Sequence, residues 1–423
     1  MTFKIITLGC KVNIYESEVM KEKLLQAGFK ETIDNSDIVI INTCSVTNMA
    51  DVKSRKMIRR EKKENPQSIL VVCGCSAENH RLELEDLGID ILIGNKDKSN
   101  IVSLIWEYQH DHKPIIKFYD TRKLPFEDMK VDKFTSHTRG FIKIQDGCNN
   151  YCSYCIIPYV RGNIRSKDIN VALKEAQELV ANNHKEIVLT GIHTGSYGVG
   201  YDFDLVDLIN KMSTIPGLKR IRLSSIEITE LNDKFMELLK NNTILCDHLH
   251  IPLQSGSEKI LKLMNRKYDK SRYESIINQI RAIRPEISIT TDVIVGFPGE
   301  TESDFNECLD FCRKIKYAKI HVFPYSKREG TKAASMPNQL DNKTKKDRAR
   351  KLIELSNELE EAYNQKFLGR NMDVLVEEYK DSCSIGHTSN YLKVVIETKV
   401  PTNEFYNVKI TKTSSSEVTG KIN

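Results

Sequence analysis

The chain has one tryptophan, 11 prolines and 20 glycines among 423 residues, and no long apolar run. Its longest apolar runs, such as Ile38 to Ile41 and Ile69 to Cys73, fall far short of the ~20 residues that cross a bilayer. No basic segment followed by an apolar one opens the chain. Met1 to Cys10 reads directly as a strand and its loop, so no signal peptide is expected. Proline and glycine are too sparse, and hydrophobic residues at 40% too plentiful, for collagen-like structure or long disorder. A strong charge of either sign is also missing: 63 Lys plus Arg against 58 Asp plus Glu leave +5. That balance neither demands nor excludes nucleic acid, so local clustering must decide. The chain is expected to fold and stay in the cytoplasm, with no membrane partner.

Cysteine is what the chain has in excess. There are 11, an odd number that full internal pairing cannot satisfy. In a reducing compartment such a count points to metal or redox chemistry before disulfides.

Length alone suggests about three domains. Over residues 1–112, strands and helices alternate. Phe3–Leu8, Asp37–Ile41, Ser68–Cys73 and Ile89–Ile93 read as strands, with helices over Tyr15–Ala27 and Val46–Lys63. Apolar strands alternating with helices predict a parallel sheet covered on both faces. Residues 113–139 hold two prolines and little periodicity, and read as a connection. Alternation resumes over 140–367. Strands are expected at Gly140–Gln145, Glu186–Leu189, Arg220–Leu223, His248–Ile251, Ile287–Val295 and Lys319–Phe323. Six such units are too few for an eight-unit barrel and fit a partial (β/α)6 barrel. Asp341–Phe367 reads as a long charged helix. The tail, 368–423, alternates apolar and polar residues, as in Met372-Val374-Val376 and Leu392-Val394-Ile396. That is the period of antiparallel strands and fits a small β-barrel of oligonucleotide-binding type. The fold class is α/β with this small barrel at its end.

Two cysteine groups stand out. Cys148, Cys152 and Cys155 form C-x3-C-x2-C just after the first strand of the second series. Three thiolates on one loop can hold three irons of a [4Fe–4S] cubane, whose usual protein set is four, leaving one iron open. Structural zinc wants four ligands, and no fourth cysteine lies nearby in the chain. Cys10, Cys44 and Cys75 are far apart in sequence, yet each follows a predicted strand. Loops after the strands of a parallel sheet share one edge, so these three can converge. The alternative is three unrelated small buried side chains. Cys73, Cys246, Cys308, Cys312 and Cys383 read as structural.

These residues carry a family likeness. Cys148, Cys152 and Cys155 match the signature of radical S-adenosylmethionine enzymes. Gly9-Cys10-Lys11-Val12-Asn13, Asn42-Thr43-Cys44-Ser45-Val46 and Gly74-Cys75-Ser76-Ala77 resemble the N-terminal domain of methylthiotransferases. The tail resembles their RNA-binding TRAM domain. Phe141 to Gly147, Lys185 to His193, and Pro158 to Gly162 with Arg165-Ser166 resemble the branch acting on N6-threonylcarbamoyladenosine in tRNA. Other branches act on N6-isopentenyladenosine or on a ribosomal-protein aspartate, and spacing does not separate the three.

The resemblance implies two [4Fe–4S] clusters, on Cys10/Cys44/Cys75 and on Cys148/Cys152/Cys155, and S-adenosylmethionine. Radical cleavage of that cofactor at the second cluster would activate C2 of the adenine; the first cluster would bring the sulfur, and a second cofactor molecule the methyl. The implied partners are the anticodon stem-loop of tRNA, a low-potential electron donor such as flavodoxin or ferredoxin, and a sulfur donor. Tyr154, between two cluster cysteines, and Ser225, Glu227, Gln254 and Asp292, just past or near the ends of barrel strands, are candidate cofactor contacts. No acid–base pair is assigned. Basic residues from Lys53 to Lys63 and from Lys343 to Lys351 offer phosphate contacts, and Tyr379, Tyr391, Phe405 and Tyr406 offer base stacking or core packing. A reading from another class is a zinc-holding RNA-binding protein without activity.

Overall fold

The computed structural model describes residues 1–134 and 137–423. Its first sheet contains β1 (Thr2–Thr7), β2 (Lys30–Glu31), β3 (Ile38–Thr43), β4 (Ile69–Gly74), β5 (Ile91–Ile93) and β6 (Ile115–Lys117). They lie in the order β2-β1-β3-β4-β5-β6, and every pairing is parallel. β3 is buried at every residue, as a strand covered on both faces requires. Ile38, Ile40, Val71 and Ile91 feed the core on one face, while Val39, Ile41, Val72 and Leu92 feed the other. Parallel pairing puts the loops that follow β1, β3 and β4 on one edge.

The helix Lys11–Gln26 buries polar as well as apolar residues, among them Asn13, Glu16 and Ser17. Its position explains this. Met20 and Leu24 join the core of the first sheet, whereas Tyr15 and Val19 join the core of the second domain.

The stretch expected to be a connection does not begin as one. β6 pairs with β5 and completes the first sheet. Met129, Val131 and Phe134 are buried against the second core. A three-residue strand and scattered apolar residues are too short to show a period. Residues 135 and 136 of that stretch lie outside the described residues.

The second domain runs from β7 (Gly140–Lys143) through a short antiparallel pair, β8 (Gln145–Asp146) with β9 (Arg165–Ser166). Then come β10 (Glu186–Thr190), β11 (Arg220–Leu223), β12 (His248–His250), β13 (Ser288–Val295) and β14 (Lys319–Pro324). β7, β10 and β11 pair in parallel, as do β12, β13 and β14. A parallel bridge, Ile221 to Leu245, links the two groups. Spatial order therefore follows chain order, giving a six-stranded partial barrel. The helices between strands include Ile169–Ala181, capped by Asp168, whose carboxylate accepts from the amides of Asn170 and Val171.

The charged helix runs Asn342–Asn364 and ends in a tight turn. Beyond it, β15 (Asn371–Lys380), β16 (Cys383–His387), β17 (Lys393–Ile396), β18 (Phe405–Thr413) and β19 (Val418–Ile422) close a barrel in the order β15-β16-β17-β19-β18. Val374, Val376, Val394, Ile396, Val408 and Ile410 fill it. This barrel docks on the second domain through arginines. Arg220 donates to the carbonyls of His387 (3.0 Å) and Asp373 (2.6 Å), and Arg222 to those of Thr388 and Ser389. Tyr391 enters the same junction, with its ring 4.7 Å from His248 and 4.8 Å from His387. Tyr391 is thus a packing residue. Phe405 lies under the guanidinium of Arg220, and Tyr406 packs against the barrel core, leaving Tyr379 as the most exposed ring of the four, at 44%. No helix among the described residues is long and apolar enough to cross a membrane.

Candidate active site

Cys10, Cys44 and Cys75 lie at the same edge of the first sheet, Cys10 and Cys44 just after β1 and β3, and Cys75 opening the short helix Cys75–Asn79 that follows β4. Two local features bring the segments of Cys10 and Cys44 together. Gly9 has φ +104°, and a Cβ there would sit 2.5 Å from the Cβ of Cys44, so only glycine lets the two turns touch. Asn13, 1% exposed, ties the turns: its amide donates to the carbonyls of Leu8 (2.7 Å) and Thr43 (2.9 Å). Cys44 and Cys75 are buried, and Cys10 is half-buried. Burial pushes the Cys44 thiol up to about 12 and raises that of Cys75. A bound metal reverses this, because a coordinated thiol gives up its proton.

The second triad leaves the end of β8. Gly147 has φ +73°, and a Cβ there would fall 1.9 Å from the carbonyl oxygen of Asn163. The loop is pinned by Cys148 N to Gly162 O (3.0 Å), Cys155 N to Cys152 O (2.9 Å) and Ser153 N to Met264 O (3.0 Å). Arg266 donates to Cys152 Sγ (3.4 Å) and pairs with Glu227. The Cys148 sulfur lies 3.9 Å from His193 Nδ1, and His193 Nε2 lies 2.7 Å from Glu230. Burial pushes the Cys155 thiol up to about 12, with Cys152 adding to it.

One cleft borders the loop of the second triad and reaches the segment just after Cys44. Its walls include Tyr154, Cys155, Ile156 and Ile157 from the second triad's loop, and Gln254, Asp292 and Arg328 from the barrel side. They also include Val46 and Thr47, which follow Cys44. Three of the five candidate cofactor contacts, Tyr154, Gln254 and Asp292, therefore share a cleft. Gln254 has φ +66° and its amide donates to the Asp292 carbonyl (2.8 Å). Glu227 instead lines a smaller recess with Cys152 and Arg266. Ser225 is half-buried just past β11. His248 and His250 both meet the Thr290 hydroxyl (3.0 and 2.9 Å), and His250 also reaches Asp292 (3.3 Å).

Sequence reasoning missed the charges between the triads. Arg161, fully buried, donates from Nε to Cys75 Sγ (3.2 Å), from Nη1 to Glu16 (2.8 Å) and Asp146 (3.2 Å), and from Nη2 to Asn13 (3.0 Å). Lys98 and Lys143 also pair with Glu16, and Lys143 and Arg165 with Asp146. A lone arginine after a cysteine loop gives no periodic or spacing signal, so only the fold reveals it.

Both triads offer thiols alone, a soft donor set suited to iron–sulfur clusters. Among the described residues, no three or more such ligands converge on the position of a single ion.

The two triads fall within segments that match two protein families. Residues 142–312 match the radical SAM superfamily, and residues 2–94 match the uncharacterized protein family UPF0004. The threonylcarbamoyladenosine tRNA methylthiotransferase MtaB of Bacillus subtilis is 41% identical over 96% of this chain and 93% of its own. The chain belongs to the radical S-adenosylmethionine methylthiotransferase family. Its similarity to the protein of the same name from Thermotoga maritima is 36% over 99% of this chain and 96% of that one. A tRNA-2-methylthio-N(6)-dimethylallyladenosine synthase of Thermoanaerobacter is 34% identical over 99% of this chain and 92% of its own. Among solved structures, the radical S-adenosylmethionine methyltransferase TsrM of Kitasatospora setae shares the fold at TM-score 0.56 and 14% identity, over 79% of this chain and 76% of that one. As a family member, this methylthiotransferase uses S-adenosylmethionine and [4Fe–4S] clusters.

Proposed function

We propose that this methylthiotransferase converts N6-threonylcarbamoyladenosine at position 37, beside the anticodon of tRNA, into its 2-methylthio derivative. The observation that carries the reading is the shared cleft. A base held there meets the loop of Cys148, Cys152 and Cys155 on one side and the turn after Cys44 on the other. The relatives named for threonylcarbamoyladenosine are 36 to 41% identical, and those named for dimethylallyladenosine 34 to 36%.

In this reading each triad holds one cubane by three thiolates. When bound, the clusters and S-adenosylmethionine supply one-electron cleavage of the sulfonium, sulfur and a methyl group. The chain's own residues do the rest. Tyr154, Gln254 and Asp292 grip the cofactor in the cleft, while Glu227, in the neighbouring recess beside Cys152, and Ser225, just past β11, stand outside it. Ile156 and Ile157 give the cleft an apolar wall that excludes water from a reactive species. Arg266 holds Glu227 and the Cys152 sulfur in place. A low-potential donor such as flavodoxin or ferredoxin supplies electrons, a separate sulfur donor supplies sulfur, and the reaction takes place in the cytoplasm.

The test is turnover by the anaerobically reconstituted chain on tRNA bearing threonylcarbamoyladenosine, against tRNA bearing isopentenyladenosine, read by nucleoside mass spectrometry. The expected product is the 2-methylthio derivative of the first. Product from the second alone, or from a ribosomal-protein aspartate alone, overturns the assignment.

A further inference from the structure

Arg161 stands on a short helix, Ile157–Arg161, that directly continues the loop of Cys148, Cys152 and Cys155. Yet its side chain serves the other triad. Its Nε–H points at Cys75 Sγ from 3.2 Å, and Asn95 adds a second donor to the same sulfur at 3.7 Å. Around Cys75 the packing is also shared, with Ile156 and Val160 closing over it.

The charges beneath this sulfur do not balance among themselves. Among the described residues, ion pairs join the four cations Lys98, Lys143, Arg161 and Arg165 to two carboxylates, Glu16 and Asp146, and Glu78 acts on Lys98 and Arg161 from further off, so cations still outnumber carboxylates. Glu16, Lys98 and Arg161 are fully buried, and Lys143 and Asp146 nearly so. Unbalanced buried cations are costly, and neutral thiols do not offset them. Three thiolates with their cluster do, and the offset grows with each electron the cluster accepts. Hydrogen bonds to sulfur and nearby charge are two of the main settings of a cluster's reduction potential.

We propose that Arg161 is a positioning residue that raises the reduction potential of the cluster on Cys10, Cys44 and Cys75, and locks that cluster to the loop of the other one. It does the first through its hydrogen bond to Cys75 and its charge. It does the second through Asp146, which immediately precedes Gly147-Cys148. The inference rests on the reading that the N-terminal triad holds a cluster.

The test uses the full chain carrying Cys148→Ala, Cys152→Ala and Cys155→Ala, so that only the N-terminal cluster loads. Its midpoint is followed by electron paramagnetic resonance during a redox titration. Arg161→Gln is expected to make the midpoint more negative, so that at the parent's midpoint the reduced-to-oxidised ratio falls about tenfold, or 59 mV for one electron. Arg161→Lys keeps the charge but not the planar donor, and should fall between. Glu16→Gln added to Arg161→Gln removes one carboxylate for the one cation lost, restores the parent's charge balance and should recover part of the shift. It also keeps the test open if the single variant folds poorly. Failure of the background chain to bind iron overturns the cluster reading itself. Iron loading with one midpoint shared by all variants overturns the role of Arg161 alone.

Discussion

The two triads of this methylthiotransferase are built by opposite means. Cys148, Cys152 and Cys155 leave one loop, pinned by its own backbone bonds and by Met264. Cys10, Cys44 and Cys75 follow three strands of a parallel sheet; Asn13 ties the first two segments, and Arg161 from another domain reaches Cys75. A site made by one loop depends on that loop's conformation. A site made by a sheet edge depends on register, on close backbone approach and on domain packing. Damage should therefore stay local in the first and travel further in the second.

The sharpest way to break the comparison is to remove one cysteine from each side. Cys148→Ala is expected to abolish cleavage of S-adenosylmethionine. Cys44→Ala should keep that cleavage but lose sulfur insertion. Anaerobic reconstitution should give about eight irons in the parent and about four in either variant, four per cubane. Cofactor cleavage lost equally in both variants would mean that the triads do not have separate roles.

A smaller effect is expected at the residues that only hold the turns. Asn13→Ala removes buried donors from two carbonyls and an acceptor from Arg161. Unsatisfied buried polar groups cost roughly 1–3 kcal/mol each. Iron at the N-terminal triad should become easier to strip with a chelator, while the Cys148 cluster keeps its cleavage rate. Gly9→Ala should act in the same direction, because its φ is +104° and Cys44 leaves no room for a Cβ. Equal chelator sensitivity of the two clusters in these variants would remove the distinction between a local and an assembled site.

The same contrast explains what could be read from the chain alone. C-x3-C-x2-C is a local pattern, so spacing suffices. For Cys10, Cys44 and Cys75 the strand-then-turn pattern places three cysteines on one edge, but distance follows only from the glycine turns and from Asn13. Five of the six strands of the partial barrel are legible as buried runs between helices, and the sixth, Lys319–Pro324, by its apolar residues although only Ile320 is buried. β6 was not legible, being three residues long within a charged stretch. Arg161 was invisible because its partners, Glu16, Asn13 and Cys75, lie 145, 148 and 86 positions away. Tyr391 looked like any other tail aromatic until the docking of two domains placed it between His248 and His387.

The smallest expected effects concern RNA, and they extend the comparison to the outer surfaces of the two sites. The helix after Cys44, Asn48–Glu64, exposes Lys53, Lys56, Arg59, Arg60 and Lys63. The loop of the second triad exposes Tyr151 (42%) and the helix after it exposes Tyr159 (54%), with their rings 5.8 Å apart edge to face. Phosphate contacts weaken with salt because they act by releasing counterions. Stacking on an aromatic ring is worth roughly 1–3 kcal/mol per base and does not rest on that release. Alanine at Lys53, Lys56 and Arg59 should weaken tRNA binding modestly and flatten its dependence on salt. Alanine at Tyr151 and Tyr159 should weaken binding without changing that slope. Binding isotherms of tRNA at several salt concentrations separate the two. Identical slopes for the lysine–arginine variant and the parent would mean that this helix is only a solvated face of the first sheet.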